Sequence, residues 1–454
     1  MGRLEFLKAT VEKTPYTLGR VLASVPYSLR LGREYSKSRK LAQEFENKTS
    51  EQQRDWLLAK IRFAANYAYE HVPFYRNFYK AAEYHPREIS VWEDIQQIPI
   101  ISKKDLQACP REDRAVKEVK RYLLNTGGTS GQPLSFYVDH NAWAREWAHM
   151  HLIWSQLNYR TSDLKLTLRG KDHGGNALVY NAVHNELSVN AYSDKADVCD
   201  ILEKYVRTGQ VKYLHGYPSA VSEFVSYTKV HSPILLARLK QSIKGVLLGS
   251  EYPAPHYRRL IEAELSDKTL SWYGHSEMAI LATEQTEKYR YYPMHTYGLC
   301  EAVQTKHTAS LVGTSFWNLA APLIRYATGD IVTGNTENGL LSSFEITEGR
   351  VGEFVLDRGN RKVSLTALIF GRHHELFSVA NSIQVRQTDP GFVQVFVVPN
   401  DISVIANERL ASLFNDDNVD IEFKFEIAEK PFRTRAGKTP LLIPSNANYP
   451  KEYR

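Results

Sequence analysis

The feature that most limits the fold is an alternation running from about residue 160 to residue 275. Short apolar runs, Leu164–Leu168, Val211–Leu214, Val246–Leu248 and Leu270–Tyr273, are separated by stretches of helical periodicity at 197–206 and 218–229. Short strands need neighbours to bury them, and strands linked through helices pair in parallel with the helices packed on the sheet. The expected class is therefore α/β, with parallel or mixed sheets. Upstream the texture is helical. Ser50 with Gln53 makes a capping box, and Leu57, Ile61, Ala64, Ala65 and Ala68 then share one helical face, in a helix that should stop near His71-Val72-Pro73 because the residue before proline resists the α conformation.

Downstream of about residue 350 the pattern changes again. Phe392–Val398 and Ile421–Ile427 read as strands, the second alternating Ile421, Phe423, Phe425 and Ile427 against Glu422, Lys424 and Glu426. With helices between them and around Thr366–Ala380, this makes a small α+β domain. Glu348-Gly349-Arg350-Val351-Gly352-Glu353 reads as its hinge, since glycine permits large backbone changes. At 454 residues the chain exceeds one ordinary hydrophobic core. The expected division is a basic helical arm at 1–45, a large domain at 46–348 and a small mobile domain at 349–454.

Charge is uneven. Residues 1–40 hold nine Lys/Arg and three Glu, 9 − 3 = +6, which is the whole formal net charge of +6. The folded body is neutral, which argues against a nucleic-acid surface. In the arm, Leu18, Val21, Leu22 and Val25 recur at helical spacing before Pro26. Two readings stand: a helix packed on the domain by that stripe, or one that meets an anionic membrane surface or a partner. No run approaches the roughly eighteen apolar residues of a membrane span, and the N-terminus shows no signal-peptide pattern. A cytoplasmic protein, with contact at the inner face of the membrane as an option, is the expectation. Cys109, Cys199 and Cys300 are scattered and fit reduced thiols.

Chemistry concentrates in five stretches. Asn125-Thr126-Gly127-Gly128-Thr129-Ser130-Gly131-Gln132-Pro133 is a turn between the apolar segments Tyr122–Leu124 and Leu134–Val138. Its glycines let backbone N–H groups approach an anion, and Thr126, Thr129 and Ser130 add hydroxyls. It is either a phosphate cradle or a plain Gly/Ser/Thr turn; it matches neither a Walker loop nor a GxGxxG fingerprint. Gly249-Ser250-Glu251 follows one strand, and Tyr273-Gly274-His275-Ser276-Glu277 follows the next, where ligands meet α/β sheets. Arg325-Tyr326-Ala327-Thr328-Gly329-Asp330 ends on a carboxylate suited to two hydroxyls, and Arg433-Thr434-Arg435-Ala436-Gly437-Lys438 places a lysine after the last strand.

In this order the stretches resemble the core motifs of the adenylate-forming, acyl-CoA synthetase-like superfamily. Within it they are similar to the phenylacetate–CoA ligase family, in the branch found with capsular polysaccharide biosynthesis. Val72-Pro73-Phe74-Tyr75-Arg76 and Pro99-Ile100-Ile101-Ser102-Lys103-Lys104-Asp105-Leu106 resemble two N-terminal segments of that family, and the match runs from about residue 60 to 440. The resemblance implies a large adenylate-forming domain with a small C-terminal lid. It also implies an ATP-dependent reaction in which a carboxylate becomes an acyl-adenylate with release of pyrophosphate, and a thiol or amine then takes the acyl group. ATP and Mg²⁺ are implied as cofactors, with coenzyme A as one candidate acceptor.

By the same resemblance, Thr126, Gly127, Gly128, Thr129, Ser130 and Gly131 hold the β- and γ-phosphates. Glu277 binds Mg²⁺, and Ser276 lies near the α-phosphate. Tyr273 stacks on adenine, Gly274 is a close-approach glycine of the cofactor site, and Gly249, Ser250 and Glu251 line the base and the acyl pocket. Asp330 takes the ribose hydroxyls, Arg350 supports that sugar, and Lys438 reaches the reacting centre. Chemically the set is coherent, because displacement at phosphorus needs alignment and charge stabilisation rather than covalent catalysis.

The chain departs from the family pattern in three places. Leu134 replaces a lysine that many relatives carry, Gly352 or Glu353 stands at the usual hinge residue, and the cysteine cluster that holds structural zinc in some relatives is missing. His215 and Tyr217, in a segment read as a loop, are candidates for the acyl pocket, and His275 is either a substrate contact or structural. Lys171-Asp172-His173-Gly174-Gly175 reads as a turn or as a loop near the acceptor, and His373-His374 as helix surface. Two other functions fit the same motifs: transfer of AMP to a cofactor hydroxyl or phosphate, and a non-catalytic scaffold in a polysaccharide assembly complex.

Overall fold

The structure is a computed structural model describing residues 14–125, 134–171, 173, 175–190, 193–207, 209–305, 308–348, 354–365, 368–369, 375–399, 407–416, 419–433 and 439–443. Residues 126–133 of the phosphate-cradle turn, 349–353 of the hinge, His373-His374 and Lys438 lie outside the described residues.

The strands in chain order are β1 Arg121–Asn125, β2 Ser135–Asp139, β3 Leu164–Lys171, β4 Leu178–Asn181, β5 Glu186–Asn190, β6 Val211–Gly216, β7 Gly245–Leu248 and β8 Thr269–Gly274. They continue with β9 Leu281–Thr283, β10 Arg290–Pro293, β11 Gly298–Gln304, β12 Ala309–Ser315, β13 Tyr326–Glu337 and β14 Leu340–Glu348. Last come β15 Phe354–Leu356, β16 Lys362–Ser364, β17 Ala380–Asp389, β18 Phe392–Pro399 and β19 Glu422–Ile427. The chain forms two compact units, one from residues 1–26, 157–271 and 352–454, the other from 27–156 and 272–351.

In the first unit β5, β3, β6 and β7 run parallel, with β4 antiparallel at the edge, and the first half of β8 pairs with β7 through Val246↔Thr269 and Leu248↔Ser271. The expected helices are present as Lys195–Val206 and Pro218–His231, joined by Pro233–Ser242. Proline opens the last two, where its missing N–H costs no hydrogen bond. Leu164, Leu166, Leu168, Leu187, Val189, Leu214, Val246 and Leu248 form a core with Leu202, Val221, Phe224 and Leu239.

The opposite face of the same strands is polar yet buried: Lys165 and Thr167 on β3, Ser188 and Asn190 on β5, His215 on β6. β3 therefore alternates, although most parallel strands covered on both sides are continuously apolar.

The C-terminal part of this unit has a core of its own, built from Val355, Ile383, Val385, Val393, Val395, Val397, Leu410, Phe414 and Phe425. β17 and β18 pair antiparallel, and β19 joins β18 in parallel. Thr366, Ala367 and Phe370–His374 lie outside the described residues. Of the helix expected around them, the chain shows a 3₁₀ turn at Glu375–Ser378, and Ala380 already starts β17.

The arm helix Tyr16–Leu22 packs by only part of the expected apolar stripe, since Leu22 lies against the core of this unit. Leu18 and Val21 are 64% and 69% exposed. The contact runs also through Tyr16, which meets Tyr180 and Tyr205 edge-on, and through Gly19, where a Cβ would come 2.4 Å from a Tyr180 ring carbon.

In the second unit the helix Ser50–His71 buries Leu57, Ile61, Ala64, Ala65 and Ala68, the face expected from the sequence. Its cap lies one residue earlier than expected: Thr49 accepts from the Gln52 N–H, and the Gln52 side chain accepts from the Thr49 N–H. β1 and β2 form an antiparallel pair with Asn125 opposite Ser135, so the glycine-rich turn is the connection of a hairpin. The second half of β8 pairs with β9, and β9, β10, β14, β13, β12 and β11 follow as a run of antiparallel neighbours.

Candidate active site

Two of the motif stretches interlock within the second unit. Tyr273, at the end of β8, donates its hydroxyl to Asp330 Oδ2 at 2.5 Å. In return Tyr326, at the start of β13, donates to Glu277 Oε1 at 3.1 Å. Each stretch thus gives a tyrosine hydroxyl to the other's carboxylate. Asp330 and Glu277 are only 7% and 6% exposed, where an ionised carboxylate requires such donors, and hydrogen bonds to charged groups contribute about 1.5–3 kcal/mol each.

Supporting contacts fix the geometry. The Tyr273 ring stands edge-on to Phe344, with centroids 5.4 Å apart. The Asp330 N–H donates to Thr328 Oγ1 at 3.1 Å. His275 Nδ1 lies 3.1 Å from Glu277 Oε2, while its buried Nε2 has no partner among the described residues. Met278, directly after Glu277, takes φ +54°, a left-handed turn that ends the stretch. Gly274 and Ser276 are exposed between these anchors. A Cβ on Gly274 would meet the Leu281 side chain at 3.1 Å and the Ile280 carbonyl at an ordinary 3.8 Å. Close packing inside the protein therefore does not require glycine there.

The approach to Asp330 is held from the N-terminal region. Tyr75, in the Val72–Arg76 segment, donates to the Pro322 carbonyl at 3.0 Å and accepts from the Ile324 N–H at 2.9 Å. Arg325, buried at φ +45°, donates to both Glu301 oxygens at 3.1 and 3.0 Å and to the carbonyls of Gln96 and Ile98. The arginine that opens the stretch is thus a scaffold for the carboxylate that closes it. Sequence reading named Tyr326 and Arg325 only as motif letters; their partners lie 49 and 24 residues away in the chain, and no local signal announces them.

The remaining described candidates sit in the first unit. His215 lies in β6 rather than in the expected loop, and is 2% exposed. Its Nδ1 is 3.2 Å from the Leu247 carbonyl. Burial, with Arg169 and Lys165 nearby, pushes its imidazole down to about 3, so it is neutral. Gly216 has no room for a side chain, since a Cβ would come 2.4 Å from the Leu168 carbonyl. That close approach lets the Tyr217 N–H bond the same carbonyl at 3.1 Å.

Ser250 takes φ +68° and accepts from Arg169 Nη2 at 3.1 Å. Gly249 donates its N–H to the Gly216 carbonyl, joining the ends of β6 and β7. Glu251 accepts from Ser219 Oγ at 2.6 Å and from the Thr439 N–H at 3.0 Å, so it links the start of helix Pro218–His231 to the residue after Lys438. Arg433 pairs with Glu223 of that helix, and Lys195 reaches the same carboxylate at 2.8 Å. His173 reaches Ser188 Oγ at 2.9 Å. Thr126–Gly131, Arg350 and Lys438 lie outside the described residues.

This architecture is the fold of the adenylate-forming ligases. It superposes on 2-hydroxyisobutyryl-CoA ligase in its postadenylation state with a TM-score of 0.63, at 15% identity over 87% of this chain and 90% of that one. It superposes on the GH3.15 acyl acid amido synthetase in complex with 2,4-DB at 0.60, with 12% identity over 91% and 94%. In sequence the chain is similar to Protein CapK of Staphylococcus aureus, 23% identical over 402 residues that cover 83% of this chain and 86% of that protein. No protein-family model matches the chain.

Proposed function

We propose that this protein activates a carboxylic acid with ATP, forming an acyl-adenylate and pyrophosphate, and then passes the acyl group to a thiol or an amine. The observation that carries this reading is the reciprocal exchange of tyrosine hydroxyls between the Tyr273–Glu277 and Arg325–Asp330 stretches. It holds two buried carboxylates, from motifs far apart in sequence, in one fixed arrangement. An ionised carboxylate has about four lone-pair sites, so Asp330 can accept ribose hydroxyls as well as the Tyr273 proton.

Glu277, held by Tyr326 and His275, fits Mg²⁺ delivered with ATP, an ion that takes one or two carboxylates and completes its shell with phosphates and water. Bound there, the ion would neutralise charge on the phosphates. In the first step a carboxylate oxygen attacks the α-phosphorus and the bond to pyrophosphate breaks. Thr126–Gly131 would cradle the leaving phosphates, Ser276 would face the α-phosphate, and Lys438 would stabilise charge at the reacting centre. In the second step the acceptor's sulfur or nitrogen attacks the acyl carbon and AMP leaves.

Residues 349–454 would act as the lid that carries Lys438 in and out, turning at 349–353, with Arg350 beside the ribose. A place in surface-polysaccharide synthesis is the reading that the resemblance of the motifs implies. Coenzyme A is one acceptor that fits the reading. Among the described residues no helix is long and apolar enough to cross a membrane. The exposed Leu18 and Val21 beside Arg20 favour a peripheral contact of the arm with a membrane surface or a partner.

The test is pyrophosphate release from MgATP across aromatic, amino, hydroxy and short fatty acids, with hydroxylamine to trap adenylates. One acid class should stimulate release, and Lys438→Ala should lower it about 10³-fold. Normal release by that variant would overturn the assigned role of the lysine, and an acid-independent, acid-stable AMP product would replace acyl transfer by AMP transfer.

A further inference from the structure

The polar face of the parallel sheet in the first unit carries an imbalance of charge. On β3 the side chains of Lys165, Thr167 and Arg169 alternate with the core leucines Leu164, Leu166 and Leu168, and Lys171 follows beyond a register shift. Among the described residues one carboxylate, Glu186 on β5, faces them. Burial works to raise it, but Lys165, with help from His184 and Lys171, overrides burial and holds it well below the usual range. Its oxygens are engaged by Lys165 at 3.3 Å, Lys171 at 3.7 Å and the Thr167 hydroxyl at 3.0 Å. His215, in register with Thr167, is neutral. With His184 set aside, Lys165, Lys171 and Arg169 against Glu186 make three cations and one anion, 3 − 1 = +2.

Arg169 is the cation left over. It lies at the carboxyl end of β3, the end at which parallel α/β sheets meet their ligands. Its Nη2 donates to Ser250 Oγ at 3.1 Å and its guanidinium carbon is 5.7 Å from the Tyr217 ring centroid. Among the described residues no carboxylate pairs with it and its other N–H groups have no acceptor. Glu251, on the same stretch as Ser250, is turned to Ser219 and Thr439. A guanidinium offers a planar fork matched to carboxylate and phosphate, and holding one half-buried without a counterion is costly. The left-handed backbone at Ser250 is a further strain at the same point.

We propose that Arg169, seated by Ser250 and Tyr217, recognises a second anionic oxygen group of the substrate, a carboxylate or phosphate other than the carboxylate that is activated. Calling that ligand a substrate rests on the adenylation reading. The anion is carried either by the acid, which is then a dianion, or by the acceptor.

The experiment compares the full-length wild type with Arg169→Gln and Arg169→Lys, after matching thermal midpoints show that all three fold. Pyrophosphate release is measured with matched acids that differ only in a second carboxylate or phosphate, and acyl transfer with acceptors that do or do not carry phosphate. Binding of succinate and of inorganic phosphate without ATP is measured by calorimetry in parallel. If the acid carries the anion, the wild type prefers the dianionic acid about 10- to 100-fold in kcat/KM and Arg169→Gln loses that preference, with Arg169→Lys in between. If the acceptor carries it, Arg169→Gln keeps adenylation and loses a similar factor with phosphorylated acceptors.

A change confined to the KM for ATP, or no change at all, overturns the proposal while leaving adenylation in place. If no acid stimulates release, the adenylation reading fails and calorimetry decides the site on its own. Succinate or phosphate binding that is lost in Arg169→Gln upholds an anion site, and equal behaviour of the two proteins removes it.

Discussion

The two polar regions of the molecule are opposite in sign and in construction. Around Tyr273 and Tyr326 the buried charges are carboxylates, held by neutral hydroxyls whose own anchors are rings and backbone. Along β3 the excess charge is cationic, and the single carboxylate that faces it among the described residues is already shared by two lysines. A carboxylate held by hydroxyls keeps its charge for other donors, whether sugar hydroxyls or a divalent ion. A guanidinium without a carboxylate keeps its fork for an anion. The contrast assigns different ligand chemistry to each region before any substrate is named.

The largest expected effect tests whether the carboxylate region depends on its scaffold. Arg325→Met leaves Glu301 and two carbonyls without their donor, and breaking a buried pair costs about 3–5 kcal/mol. A urea titration should show that loss as a lowered midpoint with an unchanged slope, and a midpoint within error of the wild type would mean that the region holds itself. Next comes the pair itself. Asp330→Ala should cut acid-dependent pyrophosphate release about 100-fold and Tyr273→Phe about 10-fold, the scale of hydrogen bonds to charged groups. Equal, small effects of both on stability alone would reduce the interlock to a packing feature.

A third prediction uses acid. His215 is neutral when folded, with its value pushed down to about 3 chiefly by burial, against about 6.5 when unfolded. Between those values the unfolded chain binds the extra proton, so stability falls as pH drops from 6.5 toward 3. His149 and His295 in the other unit, each pushed down to about 4 by burial, add to the same limb. His215→Gln should therefore make the fall of the urea midpoint between pH 6.5 and 4 shallower without removing it, and an unchanged slope would show that His215 charges in the folded protein.

The smallest effect is expected at Gly274→Ala. The added methyl crowds only the flexible end of the Leu281 side chain and meets the Ile280 carbonyl at ordinary contact distance, so stability should change by less than about 1 kcal/mol while the KM for ATP rises. An unchanged KM would remove Gly274 from the nucleotide's path.

Much of the frame could be read from residue order, because local periodicity carried it. The helix Ser50–His71, the parallel strands β3, β6, β7 and β8 and the pair β18 and β19 lie within a residue or a few of where their patterns place them. The cap of that helix moved because Thr49-x-x-Gln52 and Ser50-x-x-Gln53 satisfy the same pattern, and only the backbone chooses between them. The antiparallel strands β9 to β14 escaped notice for a physical reason. β13 carries Gly329 and Gly334 and shifts register at Ile331/Val332 and Asn335/Thr336, and each shift breaks the period-two signal.

β3 taught the reverse lesson. Leu164–Leu168 looked like a plain apolar run, yet Lys165, Thr167, Arg169 and Lys171 were a legible second period. Motif order marks Glu277 and Asp330 as candidates, and the fold brings their two stretches together. Their partners could not, since both hydroxyl bonds span about fifty residues and exist only once the chain has folded.

The most direct test of the central claim is isotope exchange between pyrophosphate and ATP, run with wild type and Asp330→Ala over an acid panel. The account predicts exchange that depends on one class of acid and falls about 100-fold in the variant, with its fold intact. Exchange that proceeds without any acid, or that is unaffected by removing Asp330, would contradict it.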